Sequence, residues 1–279
     1  MNSELLTTGL AQGLILSCVA YAIMIPFRLL NLQDITAEGA YPLGGAICAK
    51  VLLLGCGPGV AMLCAMAGGG VMGMFTSLVH LKLNMQTLLA GIILSTMAYS
   101  VNLRIMGCPN LALFTVPSFF TGQTVAVMIV RLLLIVLCIV VPLALYLKTE
   151  HGLRFRAVGL NLDFARRQSI RPSLYVMLGM GVAGSLSGLA GSLMVQMQNY
   201  MDIGIGVGIV IHGLAALMLG EALVRGEGLV PKLSAPLVGA LVYQQIQGLA
   251  FAAGLASSDS KFFTGLLVLG VIALQRRRR

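Results

Sequence analysis

The sequence predicts an all-α, polytopic transmembrane bundle of about nine spans, and three observations carry that reading. Of the 279 residues, 58% are hydrophobic, and the mean hydropathy is +0.96. Only 10% are charged, against about 25% in ordinary soluble domains. The apolar residues also gather into runs of membrane-spanning length, since about 30 Å of hydrocarbon takes about 20 residues of helix. None of the runs alternates as a barrel strand does, and lipid cannot satisfy an open backbone, so helices are the form they take.

The runs lie at about 5–26, 35–54, 58–79, 86–105, 123–147, 174–198, 203–223, 235–255 and 262–275. The start, MNSELLTTGL, has no basic n-region, and its apolar run continues to about Ile25. That is too long for a signal-peptide core, so it reads as a retained helix. The second run is the least regular. Asp34, Thr36, Glu38, Gly39 and Pro42 fall in its first two turns, which predicts an unwound start. Two readings of the acids stand: an interfacial helix start, where carboxylates complement the helix dipole, or, for Glu38, a water-filled path through the membrane.

Glycines four apart at Gly69 and Gly73, Gly184 and Gly188, and Gly204 and Gly208 predict close helix seams. The glycine-rich third and sixth runs face in opposite directions, which is compatible with inverted repeats. In the fourth run Ser95, Tyr99 and Asn102 share one helical face and Thr96 borders it. That stripe fits interhelical hydrogen bonds or a pore lining equally well. Gln196, Gln198 and Asn199 at the end of the sixth run read as interfacial polarity. His212, within the seventh, reads as a packing residue, with a proton relay as the functional alternative.

Between the fifth and sixth runs lies the polar segment 148–172, KTEHGLRFRAVGLNLDFARRQSIRP. It holds six of the eighteen Lys and Arg residues, and its breaks at Gly159 and Asn161 predict two short helices joined by a turn. Basic residues concentrate on the cytoplasmic side of membrane proteins. Placing this loop inside puts Arg28, Lys82, Arg225, Lys232 and Arg276 to Arg279 on the same side, fourteen of the eighteen in total. The amino terminus is then outside and the carboxy terminus cytoplasmic. Lys50, Arg104, Arg131 and Lys261 fall toward the outer ends of their segments, where long side chains snorkel.

Several chemistries are disfavoured. No lysine follows the glycine spacing of a phosphate-cradling GxxxxGK[ST] loop. The three histidines lie in separate segments without metal-ligand spacing, and no metal or other cofactor is expected. The basic residues track topology, so nucleic acid is not an expected partner. The six cysteines sit mostly within apolar runs and read as packing residues. Only Cys56 and Cys108 fall near one face, where spacing alone does not decide pairing.

Three stretches carry a resemblance. The loop RAVGLNLDFARRQSIRP (156–172) is similar to the cytoplasmic coupling segment of membrane permeases of bacterial ABC importers, in the class serving branched-chain amino acids, ribose and related solutes. LQDITAEGAYPLGGAI (32–47) looks like the Asp-Leu-Ser/Thr-Val-Glu-Gly stretch of those permeases, and GLAALMLGEAL (213–223) like their late-helix motif. The loop departs from the Glu-Ala-Ala pattern, with Arg156 and Ala157 where the acid and first alanine would stand.

The resemblance implies a type II ABC importer-like permease, one domain over 1–279, in the bacterial inner membrane, with the branch handling aromatic amino acids or similar solutes nearest. The implied partners are cytoplasmic ABC ATPase subunits, a second permease copy, an extracytoplasmic solute-binding protein and membrane lipid. ATP hydrolysis would belong to the separate ATPase subunits, not to this chain. For the coupling role it points to Arg154, Arg156, Arg166 and Arg167 as partners of acids on the ATPase. Phe155, Val158 and Leu162 would form an apolar docking stripe, with Gly159 at the turn. For the translocation path the candidates are Glu38, Ser95, Tyr99, Asn102 and His212. A secondary transporter or channel acting alone is the alternative, with Glu38 and His212 as its ion handles.

Overall fold

The computed structural model describes residues 2–224, 226, 228–254 and 259–276. Arg225 and Arg277 to Arg279, used above for orientation, lie outside the described residues. Each of the nine apolar runs coincides with a helix: α1 (Asn2–Met24), α2 (Ala37–Leu53), α3 (Pro58–Leu83), α4 (Thr87–Met106), α5 (Val125–Lys148), α8 (Pro172–Gln198), α9 (Ile209–Leu223), α10 (Leu229–Ala252) and α11 (Ser260–Arg276). The polar loop supplies the other two, α6 (Glu150–Leu160) and α7 (Leu162–Arg167).

Among the described residues, six segments are long and apolar enough to cross a membrane: Leu6–Leu29, Pro58–Leu83, Thr87–Met106, Val125–Lys148, Pro172–Gln198 and Ile203–Leu223. Helices α2, α10 and α11 are shorter or more polar, so the expected count of about nine spans is matched in helices and only in part in apolar length.

Local signals explain the ends. Pro58 and Pro172 occupy the first turns of α3 and α8, where a missing N–H costs nothing. Asn84, Gly107 and Asn199 take left-handed conformations at the C-terminal ends of α3, α4 and α8. At Pro26 the first helix widens into a π-helical turn, Ile25–Leu29, which absorbs the missing donor. Residues 30–36 are non-helical, and α2 then runs unbroken through Pro42. The unwound stretch expected in the second run therefore precedes the helix and does not interrupt it.

The chain divides into two compact units, one of Met1–Ala20, Gln123–Leu145 and Val210–Arg279, the other of Tyr21–Gly122 and Tyr146–Ile209. In the second unit α2 is packed by α3, α4 and α8. Helices α3 and α8 run antiparallel through their glycines. A Cβ on Gly69 would strike the Gly184 carbonyl, one on Gly73 the Met180 carbonyl, and one on Gly188 would lie 2.5 Å from the Ala65 oxygen. Gly44 and Gly191 bring α2 equally close to α8, where the Ser187 hydroxyl donates to the Ala37 carbonyl at 3.0 Å. The expected seams at Gly69/Gly73 and Gly184/Gly188 are thus backbone-to-backbone contacts. Gly204 and Gly208 form no such seam, because 203–206 is a 3-10 turn and a Cβ added to Gly208, at φ +84°, would meet nothing within 4 Å.

A short antiparallel pair, β1 (Asn110–Ala112) with β2 (Tyr200–Asp202), joins the C-terminal ends of α4 and α8 in the same unit. Gln196 is 1% exposed, with its Oε1 accepting from the Phe119 amide at 2.9 Å and its Nε2 directed at Cys48. This replaces the interfacial role expected of Gln196: it ties the 113–122 loop to the helix.

In the first unit, α9 and α10 cross at Gly220 against Ala235 and Gly239 against Ala216. Gln244 donates to Gln12 at 2.6 Å across α1 and α10. Helix α5 presents an apolar surface that includes Val130, Leu134, Val141 and Leu145, as a lipid-facing helix does.

Candidate functional site

The unwound residues 30–36 place α2 and its first-turn acid. Asp34 Oδ1 accepts from the Thr36 amide at 3.0 Å and from the Thr36 hydroxyl, and lies against Gly91 at the start of α4. Gly91 has no side chain, so the 34–36 turn packs directly on the α4 backbone. Asp34 is buried, which pushes its carboxyl up to about 6, while the Thr36 bonds and His80 act in the opposite direction. It is a buried turn residue, neither an exposed interfacial acid nor part of the cavity described next.

In the first turn of α2, Glu38 meets a cavity of about 250 Å³ lined by Glu38, Pro42, Ser95, Thr96, Tyr99, Asn102, Ile203, Gly206 and Val207. Four of the five residues expected along the path meet here: Glu38 from α2, and Ser95, Tyr99 and Asn102 from α4. Gly39 allows it, because a Cβ there would lie 2.7 Å from the Ser95 Cα. The third wall is the 203–207 segment. Gly206 packs on the Glu38 carbonyl and the Pro42 ring, and the Gly208 amide donates to Glu38 Oε1 at 2.8 Å.

The polar atoms of the cavity are unevenly used. Ser95 and Thr96 both donate their hydroxyl hydrogens to the Ile92 carbonyl, at 2.9 and 2.8 Å. Pro42 has no N–H to offer the Glu38 carbonyl four residues earlier. Asn102 is 1% exposed, and its Oδ1 has no hydrogen-bond partner, a deficit of about 1–3 kcal/mol for a buried acceptor. The stripe on α4, which fitted two readings in the sequence, lines a cavity.

His212, the fifth path candidate, belongs to the other unit. Its Nδ1 lies 2.6 Å from the Tyr243 hydroxyl, which is 2.8 Å from Thr264 Oγ1. This trio links α9, α10 and α11. Neither Tyr243 nor Thr264 carries a signal in the sequence, because their grouping with His212 joins three separate helices.

The polar loop folds into two short helices as expected, but the break falls at Asn161 alone, and Gly159 lies inside α6. Thr149 caps α6 by accepting from the Gly152 amide at 3.3 Å, and Asn161 caps α7 by accepting from Asp163 and Phe164, both at 3.0 Å. The expected docking stripe is only partly outward. Phe155 and Val158 are 4% and 2% exposed; Phe155 stacks edge-on between Tyr146 and Tyr175 and packs on Gly179. They anchor the loop to its own chain because the α6 face that carries them turns inward. Leu162 is exposed as expected, joined by Leu153, Leu160 and Phe164.

Gly159 is required at its position, since any side chain would overlap the Leu29 carbonyl on the π-helical turn. Of the arginines, Arg156 is partly buried and donates to the Leu147 carbonyl at 3.3 Å, capping the end of α5; its Nε has no partner. Arg154 and Arg166 make loose exposed pairs with Glu150 and Asp163 of the same loop, at 3.5 and 3.9 Å. Such pairs contribute about 0–1 kcal/mol. Arg167 is exposed.

A solved structure described as an inward-facing conformation of a metal-chelate type ABC transporter superposes on 99% of this chain and 86% of its own, with a TM-score of 0.56 at 16% identity. The tyrosine transport system permease protein of Clostridioides difficile (strain R20291) is 32% identical over 264 residues, 95% of this chain and 89% of the relative. The autoinducer 2 import system permease protein LsrC of Salmonella typhimurium is 28% identical over 133 residues, 47% of this chain and 38% of its own. The model of the family described as branched-chain amino acid transport system, permease component, matches residues 5–272. The chain belongs to that family and is a polytopic membrane permease of an ABC transport system.

Proposed function

We propose that the chain is the permease subunit of an ATP-driven importer that moves an amino acid across the bacterial inner membrane by alternating access. The observation that carries this reading is the mainly apolar cavity between α2 and α4 that Glu38, Ser95, Tyr99 and Asn102 line, formed at a glycine contact within a chain matched to a permease family from residue 5 to 272. Glu38, Ser95, Tyr99 and Asn102 line the path, and His212 keeps the helices of its unit in register. The amino-acid cargo is supported by the likeness to the tyrosine transport permease over 95% of the chain.

The chain acts as one permease domain of nine membrane-crossing helices, with its amino terminus outside and its carboxy terminus and loop 148–172 in the cytoplasm. A second copy completes the path, and an extracytoplasmic binding protein delivers the solute. Each loop docks on a cytoplasmic ATPase subunit through Leu160, Leu162 and Phe164 and the rim of Arg154, Arg166 and Arg167. Phe155, Val158, Gly159 and Arg156 hold the loop to α5, α8 and the Leu29 turn, so its displacement reaches the membrane helices.

The test is co-purification of the ATPase together with tyrosine uptake in cells. Leu160→Asp with Phe164→Asp removes the ATPase from the purified complex and abolishes uptake, and reversal at Arg156 lowers uptake. Retention of both ATPase and uptake in these variants contradicts the docking role.

A further inference from the structure

We propose that the α2–α4 cavity recognises a primary ammonium group, with the Glu38 carboxylate and the Asn102 carbonyl as its acceptors. The inference rests on the cargo path placed above and deepens it by assigning which end of the solute the permease itself reads.

Glu38 Oε1 takes one hydrogen bond from the Gly208 amide, leaving Oε2 for a ligand. Asn102 Oδ1 is buried and unpartnered, so a donor arriving in the cavity supplies what the folded chain lacks. The hydroxyl hydrogens of Ser95 and Thr96 are committed to the Ile92 carbonyl; toward the cavity these oxygens offer lone pairs.

No lysine, arginine or histidine is among the lining residues. The donors present, the Tyr99 hydroxyl and the Asn102 NH2, are neutral, so a carboxylate entering here meets no opposite charge and one like charge. An ammonium has three donors for these acceptors and one full charge for Glu38. The apolar walls, Pro42, Ile203 and Val207, suit the carbon skeleton beside that group.

The purified full-length chain is the material for the test, and tyramine and 3-(4-hydroxyphenyl)propionate, an amine and an acid sharing one aromatic skeleton, are the probes. Labelled tyramine binds saturably and the acid does not. Glu38→Gln weakens tyramine at least tenfold. It keeps a carbonyl for the Gly208 amide, so the 203–208 wall stays in place, and thermal unfolding checks that it does. Asn102→Leu weakens tyramine by a smaller factor.

Equal binding of the acid, absence of tyramine binding, or tyramine binding unchanged in both variants overturns the proposal. So does displacement of tyramine by sodium at matched concentration in a choline buffer, which marks an inorganic-cation site. Tyrosine uptake by the complete transporter in cells is read separately. Absent uptake with Glu38-dependent tyramine binding contradicts the amino-acid cargo and leaves the ammonium site standing. Normal uptake with Glu38-independent binding does the reverse.

Discussion

Gly159 lies directly on the carbonyl of Leu29, with the Leu30 Cα 2.9 Å from where a side chain would begin. A loop helix and the π-helical end of the first span therefore meet backbone to backbone. Nine residues further along, the same stretch of chain carries Glu38. Gly159→Ala separates α6 from this turn and costs about 1–3 kcal/mol by overpacking. The expected outcome is a lower unfolding temperature and at least a tenfold loss of uptake. Leu160→Ala, at a residue 86% exposed, leaves the unfolding temperature in place.

The α3–α8 seam makes a second prediction. Gly184→Val drives a branched side chain into the Gly69 carbonyl, so the purified protein loses more than about 2 kcal/mol of stability. Gly57→Ala, at φ −64° with open space around it, stays within about 0.5 kcal/mol. Thermal unfolding in detergent distinguishes the two.

Asp34 gives a pH dependence of defined sign. Its carboxyl titrates near 6 in the folded chain against an ordinary value of 3.8, so between those values the folded state keeps a proton that the unfolded state has lost. Stability from this residue is present below about pH 4, falls as pH rises through 6, and is level above it. The full change is about 3 kcal/mol at 1.36 kcal/mol per pKa unit. Asp34→Asn retains an oxygen for the Thr36 amide, so its unfolding temperature loses this slope and exceeds wild type above pH 6. Melting curves from pH 4 to 8 check it.

The His212 trio predicts a structural phenotype. Tyr243→Phe removes the hydroxyl shared by His212 and Thr264 and lowers stability by about 1–2 kcal/mol. Uptake continues in the variant and shows no new pH dependence. Loss of proton-coupled uptake in this variant contradicts the packing role.

Hydropathy and charge made the helices and the capped loop legible, because apolar run length and the break at Asn161 are local properties. The α4 stripe was legible too, since Ser95, Tyr99 and Asn102 share a face by helical period alone. Which residues of the loop turn inward was not, because Phe155 is covered by Tyr175 and Gly179 and Gly159 by the Leu29 turn, all outside the loop. The β1–β2 pair escaped for the same reason: three-residue strands carry no periodicity, and Asn110 finds Asp202 only once α4 and α8 are placed. The role of Gln196 depends on Cys48 and Phe119, far away along the chain.

Tyrosine uptake into liposomes containing this chain, alone or with the proposed ATPase and binding protein, separates an ATP-driven importer from a transporter acting alone. Uptake that requires the ATPase, binding protein and ATP, and is lost with Gly159→Leu, is the predicted result. Uptake by the chain alone under a proton gradient, unchanged by added ATPase and ATP, contradicts it.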